Sequence, residues 1–194
     1  MTWKIAALSA TTGLLGACVS VLPEPTVPDA LYRIEAQSQI DGLTHNLIVR
    51  EPESPRLIGG QGMISEGADG GLRVVRGVEW SGPATRQIQL AMIDSFETSA
   101  RGNALLPELG VLTEYELASE LSLLRLNGET ATCKMRVSLI ATQDRSLVAR
   151  TTVTAEDRAS SRDAADRAAA LRDAASNCAA QASQFAVEAL PPAS

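Results

Sequence analysis

The sequence predicts an α+β fold, a mostly antiparallel sheet with two helices packed on one of its faces. Three observations carry that expectation. Between Tyr115 and Ala155, apolar and polar residues alternate through three successive segments, the period of half-buried strands. Ahead of them, apolar residues recur at helical spacing just after Pro83. Behind them, from about Ser161 to Leu190, Ala164, Ala168, Leu171, Ala175, Cys178, Ala182, Phe185 and Ala189 step by four and three. The chain has 194 residues, 45% of them hydrophobic, enough for one buried core. Only 3% are aromatic and alanine is abundant, so that core depends on close approach of helix to sheet.

Taken in order, "LYRIEAQ" (Leu31 to Gln37) and "HNLIVRE" (His45 to Glu51) read as strands, with Asp41-Gly42 as a turn between them. Arg56 to Glu66 and Gly71 to Trp80 are two further extended stretches, split by "GADGG". Pro83 suits a first helical turn. The helix then runs from Ala84 to about Arg101 on Ile88, Ala91, Met92 and Phe96, with Gly102-Asn103 as its stop. In the next strand Tyr115, Leu117, Ser119, Leu121 and Leu123 share one face, and Asn127-Gly128 is a strong hairpin signal. Ala131, Cys133, Met135, Val137 and Leu139 face inward on its partner, and "QDRS" turns into a third strand, Leu147 to Ala155. The Arg/Asp pairs of "SRDAADRAAALRDAA" read as the solvated face of the last helix.

The first residues carry an address. Lys4 gives a short charged n-region, and "IAALSATTGLLGA" (Ile5 to Ala17) is an uncharged run too short to span about 30 Å of hydrocarbon. It fits the h-region of a secretory signal. "Leu15-Gly16-Ala17-Cys18" resembles a bacterial lipobox, in which the cysteine thiol takes a diacylglyceryl group and becomes the new N-terminus. Residues 1–17 are therefore expected to be a signal peptide. Their loss removes Lys4 and takes the formal charge from −6 to −7. A single acyl chain, at about 0.8 kcal/mol per buried CH₂, holds a membrane only marginally. The three chains of a mature lipoprotein hold it firmly. Val19 is not the aspartate that favours inner-membrane retention in enterobacteria, so the expected site is the periplasmic face of the outer membrane. Residues 18–29, with Pro23, Pro25 and Pro28, read as an extended tether reaching up to about 35 Å at about 3.1 Å per residue. Residues 30–194 then form a single domain.

With Cys18 assigned to lipid, Cys133 and Cys178 remain. Both fall on apolar faces, one of a central strand and one of the last helix. An oxidising periplasm permits a disulfide between them, and two buried free thiols are the alternative. No motif for catalysis stands out. His45 is the one histidine and has no nucleophile motif near it, G-x-S-x-G does not occur, and metal ligation lacks a second histidine or paired cysteines. "GGQG" (Gly59 to Gly62) lacks the lysine and following helix of a phosphate loop and marks a strand bend or bulge. The acidic balance, with no aromatic-interleaved basic cluster, excludes a nucleic-acid footprint. The expectation is a protein without enzymatic activity and without a cofactor beyond the covalent lipid on Cys18.

Lipobox, tether and element order together resemble the ABC-type transport auxiliary lipoproteins, which include the paraquat-inducible protein C group. The likeness covers nearly the whole mature chain. It is carried by "Val78-Glu79-Trp80" before the first helix, "YELASELSLLRL" in the long strand, the "LIATQDRSLVART" hairpin and the alanine-rich terminal helix. "Gln143-Asp144-Arg145-Ser146" stands where the family often places a glycine, a departure that concerns turn type. The resemblance implies an outer-membrane lipoprotein of an MCE-type ABC system that moves lipid between membranes. Such a subunit docks the periplasmic MCE-domain protein and does no covalent chemistry. It also makes a homo-oligomer plausible. Trp80 and the adjoining Ser81, Gly82 and Pro83 form the candidate interaction corner, with a core role for Trp80 as the alternative. A second reading within binding proteins is an envelope-assembly lipoprotein of a secretion or Tol-type machine.

Overall fold

The computed structural model describes residues 27–96 and 101–192. The expected signal peptide, Cys18 and most of the expected tether lie outside them. Among the described residues, the elements run β1 (Ala30–Tyr32), β2 (Leu47–Val49), α1 (Arg56–Gly59), β3 (Gly62–Glu66), β4 (Leu72–Trp80) and α2 (Ala84–Asp94). They continue with β5 (Ala104–Leu105), a 3-10 turn (Pro107–Leu109), β6 (Tyr115–Asn127), β7 (Thr130–Ala141), β8 (Leu147–Arg158) and α3 (Ala164–Ala189). The class is α+β, as expected.

β6 is the trunk of the sheet. Along one edge it pairs antiparallel with β7 from Tyr115↔Ala141 to Asn127↔Thr130, and β7 pairs in turn with β8. Its other edge is shared by β2 at the start (Leu47↔Tyr115) and β3 at the end (Ser65↔Leu126), and the order β1-β4-β3-β6-β2-β5 completes the sheet. The expectation of a mostly antiparallel sheet is corrected here. Four of the seven strand pairings (β1–β4, β2–β5, β2–β6 and β3–β6) are parallel, so the sheet is mixed. The physical reason lies in the connections. A two-residue turn can only reverse a strand, whereas long crossovers, one of them carrying α2, return the chain in the same direction.

Local departures have local causes. Arg56 to Gly59 is one helical turn rather than an extended start to β3, its first hydrogen bonds closing on the Pro55 carbonyl. α2 ends at Asp94, well before Arg101. The Ser95 hydroxyl donates back to the Ala91 carbonyl at 2.7 Å, and Phe96 turns out to bridge Ile40. The hairpin between β6 and β7 closes on Gly128-Glu129, with Gly128 at φ 62°, one residue later than an Asn-Gly turn. A bulge between Leu121 and Leu123 flips β6, so Leu117 and Leu121 are buried before it and Leu124 and Leu126 after it. In β4, Gly77 at φ 80° has the same effect, burying Val75 and then Val78 and Trp80.

One apolar cluster joins these elements. Cys133, Met135, Val137 and Leu139 of β7 meet α3, and Ile88, Ala91 and Met92 bring α2 into the same core. The alanine stripe expected on α3 is buried at Ala168, Leu171, Ala175, Cys178 and Ala182. Ala174, Ala179, Ser183 and Ala186 beside it are buried too, because α3 packs on α2 as well as on the sheet. Small side chains permit that approach, and the Ser183 hydroxyl uses it to donate to the Met92 carbonyl at 3.1 Å.

Candidate interaction groove

The corner singled out in the sequence sits where β4 hands over to α2. Trp80 is 1% exposed and belongs to the core, so it is an anchor and offers no surface. Its backbone N–H donates to the Gln61 carbonyl at 2.8 Å, and that of Ser81 donates to the Tyr32 carbonyl at 2.8 Å. The corner is thus held between β3 and β1. Ser81 and Pro83 are exposed and Gly82 is half-buried.

Gln87 fixes the corner from the helix side. Its amide nitrogen donates to the Gly82 carbonyl at 2.8 Å, while its amide oxygen accepts from the Ile34 N–H at 2.9 Å. A buried glutamine satisfied at both ends of its amide holds the segment after β1, the corner and α2 at fixed spacing. That spacing opens a groove of about 590 Å³ between residues 33–39 and the outer side of α2, with Ser81, Gly82 and Pro83 at one end. Leu90, 38% exposed, lies in it, and Arg33, Glu35, Arg86 and Asp94 charge its rim. An apolar side chain in a rigid cleft with mixed charges around it suits non-covalent recognition of another molecule. Sequence pattern located the corner. It missed Gln87 and Leu90, which sit at ordinary helical positions and show their role only once α2 is docked.

A second cleft, about 480 Å³, is polar and lies over β6, β7 and β8 beside Arg50, Glu53, Glu120, Arg136 and Arg150. Two of its charges are spent on one another. Arg136 pairs with Glu120 at 2.5 Å, and near the cleft buried Glu116 is gripped by Arg50 at 2.8 Å and Arg145 at 3.2 Å.

His45 stands apart from both clefts. Its Nδ1 lies 2.5 Å from a Glu114 carboxylate oxygen and its Nε2 lies 3.1 Å from the Pro191 carbonyl, with Tyr115 edge-on at 5.1 Å. The ring is a clip between the start of β2, the start of β6 and the end of α3. Cys133 and Cys178 are free thiols, fully buried and side by side. The hydrogen bond from its neighbour, then burial, push the Cys133 thiol well above the ordinary range, so it stays protonated. Among the described residues no cluster of His, Cys, Asp and Glu is arranged to hold a metal ion, and no helix is long and apolar enough to cross a membrane.

Comparison with known proteins agrees with this architecture. The crystal structure of a Xanthomonas campestris protein superposes with a TM-score of 0.75 at 21% identity, over 82% of this chain and 95% of that one. The crystal structure of an uncharacterized protein follows with a TM-score of 0.62 at 9% identity, over 82% and 99%. At such identities the likeness is one of fold. No curated protein sequence matches. The family model for the ABC-type transport auxiliary lipoprotein component matches residues 21–183, which takes in every strand and most of α3, and the chain belongs to that family.

Proposed function

We propose that this protein is the outer-membrane, lipid-anchored subunit of an MCE-type transport system, holding the periplasmic MCE-domain protein and doing no covalent chemistry itself. The family match carries the reading, because it begins just behind the lipobox and spans the folded domain up to the last turns of α3. Membership makes the protein an auxiliary of a transport system. The MCE partner and the outer membrane are the further steps. Acylated Cys18 supplies the anchor, the proline-rich tether supplies reach, and the groove beside Ser81, Gly82 and Pro83 receives the partner, with Leu90 inside it. In the oxidising periplasm Cys133 and Cys178, free thiols in the structure, pass two electrons and two protons to that compartment's thiol oxidant during folding and join as a disulfide.

Crosslinking in intact envelopes followed by affinity capture tests the reading. MCE-domain subunits are expected in the captured material. Recovery of secretion or Tol-type proteins in their place would support the envelope-assembly alternative and overturn this one. Leu90→Asp should weaken capture severalfold while leaving the fold intact, since Leu90 lies on the groove side of α2 and outside the core. Cys18→Ser should abolish palmitate labelling and release the protein from outer-membrane fractions.

A further inference from the structure

We infer that the polar cleft over β6, β7 and β8 binds a small zwitterion, a molecule that carries an ammonium group a short distance from a phosphate. Sheet register builds this cleft. Beyond the end of β2 the chain stays beside β6, with the Arg50 N–H donating to the Leu117 carbonyl at 3.0 Å and Glu53 bridging Glu120. β6 and β7 set Ala118 against Ser138 and Glu120 against Arg136, and β7 and β8 set Ser138 against Arg150. Leu117 and Leu121 are buried in the core, so Ala118 and Glu120 lie on the opposite face of β6. Two neighbouring rows cross that face, one of Ala118, Ser138 and Arg150, the other of Glu53, Glu120 and Arg136. The short side chains of Ala118 and Ser138 form a floor among longer neighbours, and the space above it is the cleft of about 480 Å³.

The charges lining the cleft choose the ligand. Arg50 reaches Glu116 at 2.8 Å, Glu108 takes Arg86 at 3.0 Å, and Glu51 accepts from the Thr85 hydroxyl at 2.6 Å. Glu53 and Glu120 stand side by side, and the one arginine between them and β8, Arg136, is held by Glu120. Among the described residues no cation pairs with Glu53 and no carboxylate pairs with Arg150. These two do not meet each other either, since their backbones stand three strand spacings apart, about 14 Å. One end of the cleft therefore carries an excess carboxylate and favours a cation, and the other carries an excess guanidinium and favours an anion. Arg150 Nε donates to the Ser138 hydroxyl at 3.0 Å. That leaves its terminal nitrogens and the hydroxyl's own proton for a ligand oxyanion. Donors from two adjacent residues suit the several oxygens of a phosphate. The Ser119 Oγ lines the same cleft, is shielded from solvent and finds no partner among the described residues, so it offers a further polar contact. A simple cation or a simple anion answers one of the two unmatched charges, and a zwitterion answers both.

The test titrates the full acylated chain in maltoside micelles, reading the backbone amide shifts of Ala118, Ser138 and Arg150, with circular dichroism checking the fold. O-Phosphoethanolamine should shift these amides saturably and bind about tenfold more tightly than inorganic phosphate or ethanolamine. Glu53→Gln should weaken O-phosphoethanolamine about tenfold and leave phosphate binding as in wild type. Arg150→Gln should weaken it about tenfold and leave ethanolamine binding as in wild type. Both side chains are exposed, so each variant keeps the fold. Phosphatidylethanolamine mixed into the micelles identifies the source of the ligand. Displacement of bound O-phosphoethanolamine assigns the site to a lipid headgroup, and no displacement assigns it to a free zwitterion. Phosphate that binds as tightly as O-phosphoethanolamine, a Glu53→Gln or Arg150→Gln variant that keeps wild-type affinity for it, or a titration that leaves the cleft amides unmoved would overturn the inference.

Discussion

At the scale of single residues, His45 illustrates how a chemically suggestive side chain is absorbed by structure. Its two ring nitrogens face a carboxylate and a carbonyl, and among the described residues no serine or cysteine bonds to it. Its work is to fasten the end of α3, so His45→Ala should cost about 1 kcal/mol and raise amide exchange around Ala186 and Leu190. Gly102, read from sequence as a helix stop, is required for a different reason: a Cβ there would meet the His45 carbonyl oxygen at 2.1 Å. Arg145 shows a departure that sequence did locate. It takes φ 61°, the left-handed conformation, at the turn where the family often has glycine. Arg145→Gly relieves backbone strain of about 1–2 kcal/mol. Against that stands greater chain entropy when unfolded, about 0.4–1 kcal/mol, and an ion pair whose arginine is mostly exposed and therefore worth little. A net gain of about 0.5 kcal/mol is expected in denaturant titration, and a loss would mean that the grip on Glu116 outweighs the strain. The cysteines were legible as core residues, and the structure puts them next to each other. Protein extracted from the membrane fraction and unfolded without reductant should yield no titratable thiol at Cys133 or Cys178. The bridge, closing a long loop, should add about 2–4 kcal/mol.

At the scale of elements, legibility followed length and locality. β6, β7, β8 and α3 were readable because each spans enough residues to repeat its own period, and each is joined to the next by a short connection. β1, β2 and β5 are two or three residues long, and their parallel partners are distant in sequence, so no local pattern announces the pairing. The same limit hid the bulge in β6. Odd positions looked inward throughout, yet one extra residue near Ser122 moved Leu124 and Leu126 to the buried side. The candidate groove was half legible for a related reason: its corner carries Gly82 and Pro83 in sequence, whereas its wall exists only after α2 docks. The start of α3 gives a prediction about acidity. Asp166 in its first turn accepts from the Ser160 hydroxyl at 2.7 Å, and the bonds from Ser160 and Ser161 hold its carboxyl below the usual 3.8. A carboxyl lowered in the folded state favours the fold above its unfolded value, and that contribution is lost as pH falls through the lowered one. Amide shifts of residues 165–167 should move together on acidification, with a midpoint below 3.8. In Asp166→Asn that transition should be absent.

At the scale of the whole molecule, one core links everything that the sheet and helices carry. α2, α3 and strands from each half of the sheet contribute to a single apolar cluster. The groove depends on it directly: Gln87 positions the corner from α2, α2 is held by α3, and α3 is seated on β7 and β8. The molecule should therefore unfold as one unit, and a disturbance deep under α3 should be felt at the corner. Ala182 is the place to test this. It is fully buried on the stripe that predicted the helix, so Ala182→Leu adds three carbons where no space is free. Overpacking of this kind typically costs about 1–3 kcal/mol, and relief requires α3 to lift from the sheet or from α2. Fluorescence of buried Trp80 reports the corner, and far-ultraviolet circular dichroism reports helix and sheet together. In wild type and in the variant the two midpoints should coincide, with the variant's shifted lower by the cost of overpacking. A Trp80 transition that separates from the dichroism would show that the corner and the α3-covered meander are distinct cooperative units. The groove would then be free to open without the core, and partner capture should survive Ala182→Leu unchanged. If the midpoints stay together, capture should weaken in step with stability, because the surface that receives the partner is set by the packing beneath it.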